Sequence, residues 1–229
     1  MWREVVLILG AYLLGSFPFM YLLGRLHGVD LRQYDDMHIA LWRHVGRVQG
    51  AAGVIFDFMK GVIVVLVARE VGFAPEWVAF AGVVAVVGQM WPIFEKFDGE
   101  KGNSTGLAMS LALATTATLV ALAPIAIGFL VRTIPRFRKP DQTMKERFMF
   151  LGPPSLSLPL GMAIGFAVLP LAAWLLPPGQ PLGVVLALVG LFLLIMVRRA
   201  TAGLKKDLRQ PSGRTIILLN RLLFDRSEI

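Results

Sequence analysis

Cysteine is absent from the 229 residues. That excludes disulfides, thiolate metal sites and a cysteine nucleophile. Charge is scarce too. Asp, Glu, Lys and Arg make up 17% of the chain, against about 25% in an ordinary soluble domain. Acidic residues are the scarcer sign, 15 against 23 Lys and Arg, and there are three histidines. With 56% hydrophobic residues and a mean hydropathy of +0.67, both disorder and an ordinary water-soluble globule are excluded. No internal repeat or low-complexity tract is present. What remains is a chain whose solvent is largely lipid, yet with a formal net charge of +8.

Five apolar stretches stand out: Val5–Leu23, Ala51–Ala68, Trp77–Phe94, Leu158–Leu176 and Leu182–Val197. Each is near the ~20 residues that cross a ~30 Å hydrocarbon core. A sixth, Thr105–Val131, is too long for one simple crossing, roughly 40 Å as a helix. Its hydroxyl cluster Thr115, Thr116 and Thr118 marks a break. If this stretch crosses twice, one crossing being short or partial, 20 of the 23 Lys and Arg fall on one side. Only Arg3 and Arg69 fall on the other, and Lys60 lies within a span. The positive-inside rule then predicts about seven spans, with the N-terminus outside and the C-terminus cytoplasmic. The expected fold is an all-α polytopic membrane helix bundle over 1–199, with a basic cytoplasmic tail over 200–229. The first span lacks a small-x-small cleavage site and is followed by further spans, so it reads as an anchor and not a signal peptide. The apolar residues from Ile216 to Phe224 read either as a helix on the membrane surface or as a frayed tail. Pro135–Pro154 reads as a polar, basic loop.

Three polar segments share one side: Gly28–Gly50, Glu95–Ser104 and the tail from Arg198. Asp57 and Lys60, three apart, share a face of the second span. Intramembrane charges usually face a polar cavity, and the pair reads either as a cavity wall or as a structural ion pair. The run Asp98-Gly99-Glu100-Lys101-Gly102-Asn103-Ser104-Thr105 enters a helix. Its glycines permit close approach to an anion, and Lys101 adds a point charge. It lacks the Walker pattern, and a capped turn is the commoner meaning of such a run. Asp35-Asp36-Met37-His38 offers carboxylates and a histidine for proton transfer or metal binding, though such clusters are more often solvated or locally paired. No Gly-x-Ser-x-Gly elbow is present. A His-x4-Asp pattern is also missing, since Arg32, Arg43 and Gln49 follow His27, His38 and His44 by five.

These segments resemble a known family. The first span carries Ala11-Tyr12-Leu13-Leu14-Gly15-Ser16-Phe17-Pro18-Phe19, then Tyr21-Leu22-Leu23-Gly24-Arg25. The second carries Asp57-Phe58-Met59-Lys60-Gly61, and the third Gly88-Gln89-Met90-Trp91-Pro92-Ile93-Phe94, with Phe97, Gly99, Lys101, Gly102 and Thr105 after it. The order and spacing are similar to those of the bacterial acyl-phosphate:glycerol-3-phosphate acyltransferases. The resemblance implies a cell-membrane enzyme of phospholipid synthesis with its site on the cytoplasmic face. It implies acyl phosphate and glycerol 3-phosphate as partners, lysophosphatidic acid as product, and no metal, cofactor or nucleic acid. By the same resemblance, Arg43 and Lys101 bind phosphate, while Asp57 and Lys60 shape the polar cavity. Gly99 and Gly102 belong to the second glycine-rich loop, and Ser157 to the Ser-rich start of the sixth span. His38 is the candidate proton acceptor.

Departures from the family pattern fall in the anion loops. Asp35 to Trp42 replaces a Gly-Ser-Gly-Asn loop. Gln89 replaces a histidine. Asp98 and Glu100 replace a lysine and a glycine, and Arg198-Arg199-Ala200-Thr201-Ala202 replaces Arg-His-x-x-Asn. At 4 Å and an effective dielectric near 20, a like-charge pair costs about 4 kcal/mol, so the added acids are expected to oppose phosphate. This leaves two alternatives to the family reaction. One is an inactive paralogue that binds lipid or regulates an active acyltransferase, and the other is an enzyme with an altered acceptor.

Overall fold

The computed structural model describes residues 2–34, 37–137, 155–208 and 213–226, with Lys205 and Lys206 described by backbone alone. The predicted acidic pair Asp35 and Asp36 and most of the predicted Pro135–Pro154 loop lie outside these residues. In chain order the helices are α1 (Trp2–Ser16), α2 (Phe19–Leu26), α3 (Met37–His44), α4 (Arg47–Glu70), α5 (Pro75–Met90) and α6 (Asn103–Leu113). There follow α7 (Thr115–Phe137), α8 (Ser157–Leu175), α9 (Leu182–Thr201), α10 (Leu204–Asp207) and α11 (Arg214–Phe224). Among the described residues, six stretches are long and apolar enough to cross a membrane: Trp2–Leu26, Arg47–Glu70, Pro75–Glu95, Thr115–Phe137, Ser157–Leu175 and Leu182–Thr201. Many large apolar side chains, among them Leu9, Ile55, Leu119, Leu171 and Leu186, point outward. An exterior of this kind suits hydrocarbon and not water.

Small residues let the helices meet backbone to backbone, as in other membrane bundles. Gly15 of α1 lies against the Ala85 carbonyl of α5, and Gly88 against the Tyr12 carbonyl. Gly61 of α4 lies against Thr105 and Met109 of α6, and Gly128 and Gly161 join α7 to α8. These contacts also fix the direction of each helix. Arg3 and Val71 meet at one end of the bundle, while Ser16 and Gly88 meet at the other. Along α4, Asp57 meets Thr105 and Arg69 meets Ala112 and Leu113, so α6 runs parallel to α4. Helices α7 and α8 are antiparallel, and α9 brings Arg198 back beside Gly99. Helix α6, of 11 residues, is about half the length of its parallel neighbour α4.

The break between α6 and α7 falls at Ala114, inside the stretch that was too long for one helix. Neither glycine nor proline causes it. The last carbonyls of α6 are orphaned in any helix that stops there. Here the Arg69 guanidinium donates to Ala112 O at 2.6 Å and to Leu113 O at 2.7 Å. The Thr115 hydroxyl donates to Leu111 O and the Thr118 hydroxyl to Ala114 O. An arginine at the remote end of α4 thus completes the break.

Candidate functional site

The charged pair of α4 is buried. Asp57 is 1% exposed and Lys60 5%, and Lys60 Nζ lies 3.0 Å from Asp57 Oδ1. The i, i+3 spacing on one helix face produces this contact. Helix α3 folds across the same end of the bundle and brings His38 Nε2 to 3.3 Å from Asp57 Oδ2. Lys60 also lies 5.5 Å from the centroid of the Phe56 ring, which stacks on Phe19. Thr105 of α6 donates to the Asp57 carbonyl at 2.7 Å. The result is a carboxylate flanked by an ammonium and an imidazole, on rigid helices and shielded by aromatic rings.

Beside this cluster is an inner pocket lined by Ser16, Asp57, Lys60, Gln89, Glu95 and Gly99, among others. Its free space is about 20 Å3, room for one water. Gln89 is 4% exposed, and neither polar atom of its side chain has a hydrogen-bond partner. A buried amide without a partner typically costs about 1–3 kcal/mol, so its placement favours a polar occupant.

The segment after α5 folds back over the helix end. Gly99 N–H donates to Met90 O and Glu100 N–H to Gln89 O. These two donors, which the glycine-rich run offered as an anion cradle, are thereby engaged. A side chain at position 99 would collide with Gln89 O and Pro92, and Gly102 has φ +75°, so both positions require glycine. Arg198, at the end of α9, clamps the loop. It donates to Asp98 Oδ1 at 2.8 Å and to the Gly99 and Glu100 carbonyls, and it lies over the Trp91 ring. The acid at 98 is therefore paired with a cation. It does not act as an uncompensated repulsive charge.

Outside the inner pocket, and sharing Met37, Glu95, Gly99 and Glu100 with it, is a cavity of about 930 Å3. Lys101 and Arg198 line it, as do Arg221, Asp225 and Arg226 of the C-terminal segment. Lys101 Nζ lies 2.7 Å from Asp225 Oδ2.

The sequence-predicted residues therefore divide. Asp57, Lys60 and Gly99 line the inner pocket, His38 lines neither cavity but lies against Asp57, Lys101 lines the outer cavity, and Gly102 caps α6. Arg43 is exposed in the last turn of α3 and lines neither cavity. Ser157 donates to Gly128 O at 2.8 Å, between α7 and α8, and also lines neither. Sequence reasoning missed Gln89, Arg198 and Asp225 as members of the site. An amide inside an apolar span was a usable signal for Gln89. Nothing in the spacing marked Asp225, which lies 124 residues from its partner.

A family model described as glycerol-3-phosphate acyltransferase matches residues 5–206. A relative of that name from Geobacter sulfurreducens is 40% identical over 136 residues, covering 58% of this chain and 70% of the relative. One from Geobacter metallireducens is 41% identical over 120 residues, covering 51% and 62%. Glycerol-3-phosphate acyltransferase 4 of Dehalococcoides mccartyi strain CBDB1 is 27% identical over 227 residues, covering 97% and 88%. The fold is similar to crystal structures of PlsY, an integral membrane glycerol 3-phosphate acyltransferase, in lysophosphatidic acid and glycerol 3-phosphate forms. Both give a TM-score of 0.68, at 23% and 24% identity, over 95% and 94% of this chain and 98% of each neighbour.

Proposed function

This chain belongs to the glycerol-3-phosphate acyltransferase family, and we propose that it transfers a fatty acyl group from acyl phosphate to glycerol 3-phosphate at the cytoplasmic face of the cell membrane. One observation carries this reading. Asp57, Lys60 and Gly99, distant in sequence, line a polar pocket that shares part of its wall with a cavity bearing Lys101, and His38 lies against Asp57. A bundle with an apolar exterior has little other reason to assemble buried charge at one end. That end also carries the predicted cytoplasmic excess of Lys and Arg. Arg3 and Arg69 lie at the opposite end, each bonded to backbone carbonyls.

In the reaction a hydroxyl oxygen of glycerol 3-phosphate attacks the acyl carbonyl carbon. The new ester C–O bond forms, the bond from that carbon to the phosphate oxygen breaks, and inorganic phosphate leaves. The hydroxyl proton goes to His38, whose imidazole Asp57 orients, following the general logic of a base held by a third group. Lys101 binds a phosphate group in the outer cavity. Asp57 and Lys60 keep the inner pocket polar. No metal or cofactor enters this chemistry. The added acid at 98 argues less against the reaction than its charge suggests, because Asp98 is paired with Arg198.

The test uses purified protein, labelled glycerol 3-phosphate and acyl phosphate. Lysophosphatidic acid should form, and Lys101→Ala should raise KM for the phosphorylated substrate about tenfold, one lost charge-assisted contact. Absence of product above background, with no rescue of cells lacking the family enzyme, would sink the proposal in favour of a non-catalytic paralogue.

A further inference from the structure

The C-terminal helix ends on the one lysine that the proposed reaction assigns to phosphate. Helix α11 lies beyond the stretch matched by the family model, which ends at 206. It is nevertheless held firmly against the bundle. Ile217 is fully buried, and Arg221 donates to the Arg199 and Ala200 carbonyls and pairs with Asp207. Arg199 donates back to Leu222 O, and Arg226 to Ser155 O at 3.2 Å. These contacts fix the end of α11 over the outer cavity. Asp225 follows as the cap of α11, with φ +58°, and its carboxylate lies 2.7 Å from Lys101 Nζ.

A carboxylate on an ammonium at the wall of a 930 Å3 polar cavity occupies the position that an incoming anion needs. We propose that Asp225 is an affinity-setting residue of the anion site: its carboxylate competes with the substrate's phosphate for Lys101, and binding exchanges one for the other. This rests on the reading of Lys101 as the phosphate-binding group. The exchange needs only a local movement. Lys101 is 38% exposed and Asp225 16%, so both can swing without unpacking Ile217 or Arg221. A phosphate monoester carries about −1.5 to −2 at neutral pH, more charge than the carboxylate that it replaces, so its attraction to Lys101 is the stronger of the two. Displaced Asp225 lies beside Arg226, which lines the same cavity.

The experiment measures binding of inorganic phosphate and of glycerol 3-phosphate by calorimetry, on the full chain in phosphatidylcholine nanodiscs. It compares the unaltered protein, Asp225→Asn, Asp225→Glu, Lys101→Met and the double variant Asp225→Asn/Lys101→Met. Asparagine tolerates positive φ, so Asp225→Asn keeps the backbone. It should tighten both anions by about threefold to fivefold, the scale of a partly exposed ion pair. Asp225→Glu keeps the carboxylate and should stay within about twofold of the unaltered protein. Lys101→Met should weaken binding, and adding Asp225→Asn to it should change nothing more. If Lys101→Met weakens binding but Asp225→Asn leaves it unchanged or weakens it further, competition is overturned while Lys101 keeps its role. Equal tightening by Asp225→Glu and Asp225→Asn also overturns it, since charge is then not the cause. If Lys101→Met leaves affinity unchanged, the assignment of Lys101 falls, and this proposal with it.

Discussion

Lys60 Nζ lies 3.0 Å from Asp57 Oδ1, and both side chains are almost wholly buried. A buried charge without its partner is costly, whereas a neutral pair of similar shape is not. Lys60→Met leaves Asp57 with His38 alone and should destabilise the protein by up to about 3 kcal/mol. The double variant Asp57→Asn/Lys60→Met should recover most of that loss. Thermal unfolding in detergent of the two singles and the double measures the coupling. Purely additive losses would show that the two charges do not depend on each other.

Arg198 is the residue that shapes the loop between α5 and α6. Its partner Asp98 is 82% exposed, so the ion pair itself contributes little. The bonds to the Gly99 and Glu100 carbonyls matter more, because they hold the wall shared by both cavities. Asp98→Asn should change stability by no more than about 0.5 kcal/mol. Arg198→Lys should raise KM for glycerol 3-phosphate at least as much as Asp98→Asn does, because a single ammonium cannot reproduce the guanidinium fork. Steady-state kinetics on both variants decide it. A full rescue by lysine would remove the carbonyl contacts from the explanation.

The apolar spans were legible because lipid-facing helices need long uncharged runs. The break near Thr115 was legible because 27 residues exceed the bilayer. The Asp57–Lys60 pair followed from helix geometry alone. Other relationships depend on how distant helices rotate against each other, and spacing does not encode that. Asp98 read as a repulsive charge until α9 brought Arg198 to it across 100 residues. Lys101 read as an open anion binder until the tail placed Asp225 on it. Ser157 fell in a family-like position, yet its hydroxyl ties α8 to the Gly128 carbonyl of α7. The donors of Gly99 and Glu100 looked free in sequence because their acceptors, the carbonyls of Met90 and Gln89, are brought back only by the reversal of the chain at Pro92.

Gly61 and Gly10 make opposite predictions for the same substitution. A Cβ at Gly61 would meet the Thr105 carbonyl and Met109 backbone of α6, neither of which can yield easily. Overpacking costs about 1–3 kcal/mol, more than the ~1 kcal/mol that alanine gains in helix propensity. Gly61→Ala should lower stability. Gly10 has nothing within 4 Å of the same atom, so Gly10→Ala should be neutral or stabilising by up to about 1 kcal/mol. Melting temperatures of the two variants in one detergent test this. Equal effects would mean that the close approach of α4 and α6 does not limit packing.

His38 is the residue through which proton transfer and cavity shape can be told apart. Its ring lies 3.3 Å from a carboxylate that Lys60 also holds, so removing it leaves Asp57 paired and the inner pocket polar. Substrate binding should then persist while chemistry suffers. General-base catalysis contributes about 10²–10⁴ in rate, and His38→Gln should lower kcat by an amount in that range with KM changed by less than about threefold. A purely structural role for His38 would move stability and KM together and leave kcat near its starting value. The same variant examined for inorganic phosphate binding supplies the control. Unchanged affinity with lost turnover assigns the imidazole to the reacting hydroxyl, because Lys101 and the outer cavity are then intact. Loss of both would place His38 in the architecture of α3, and the base would have to be sought elsewhere, starting with the phosphate leaving group itself.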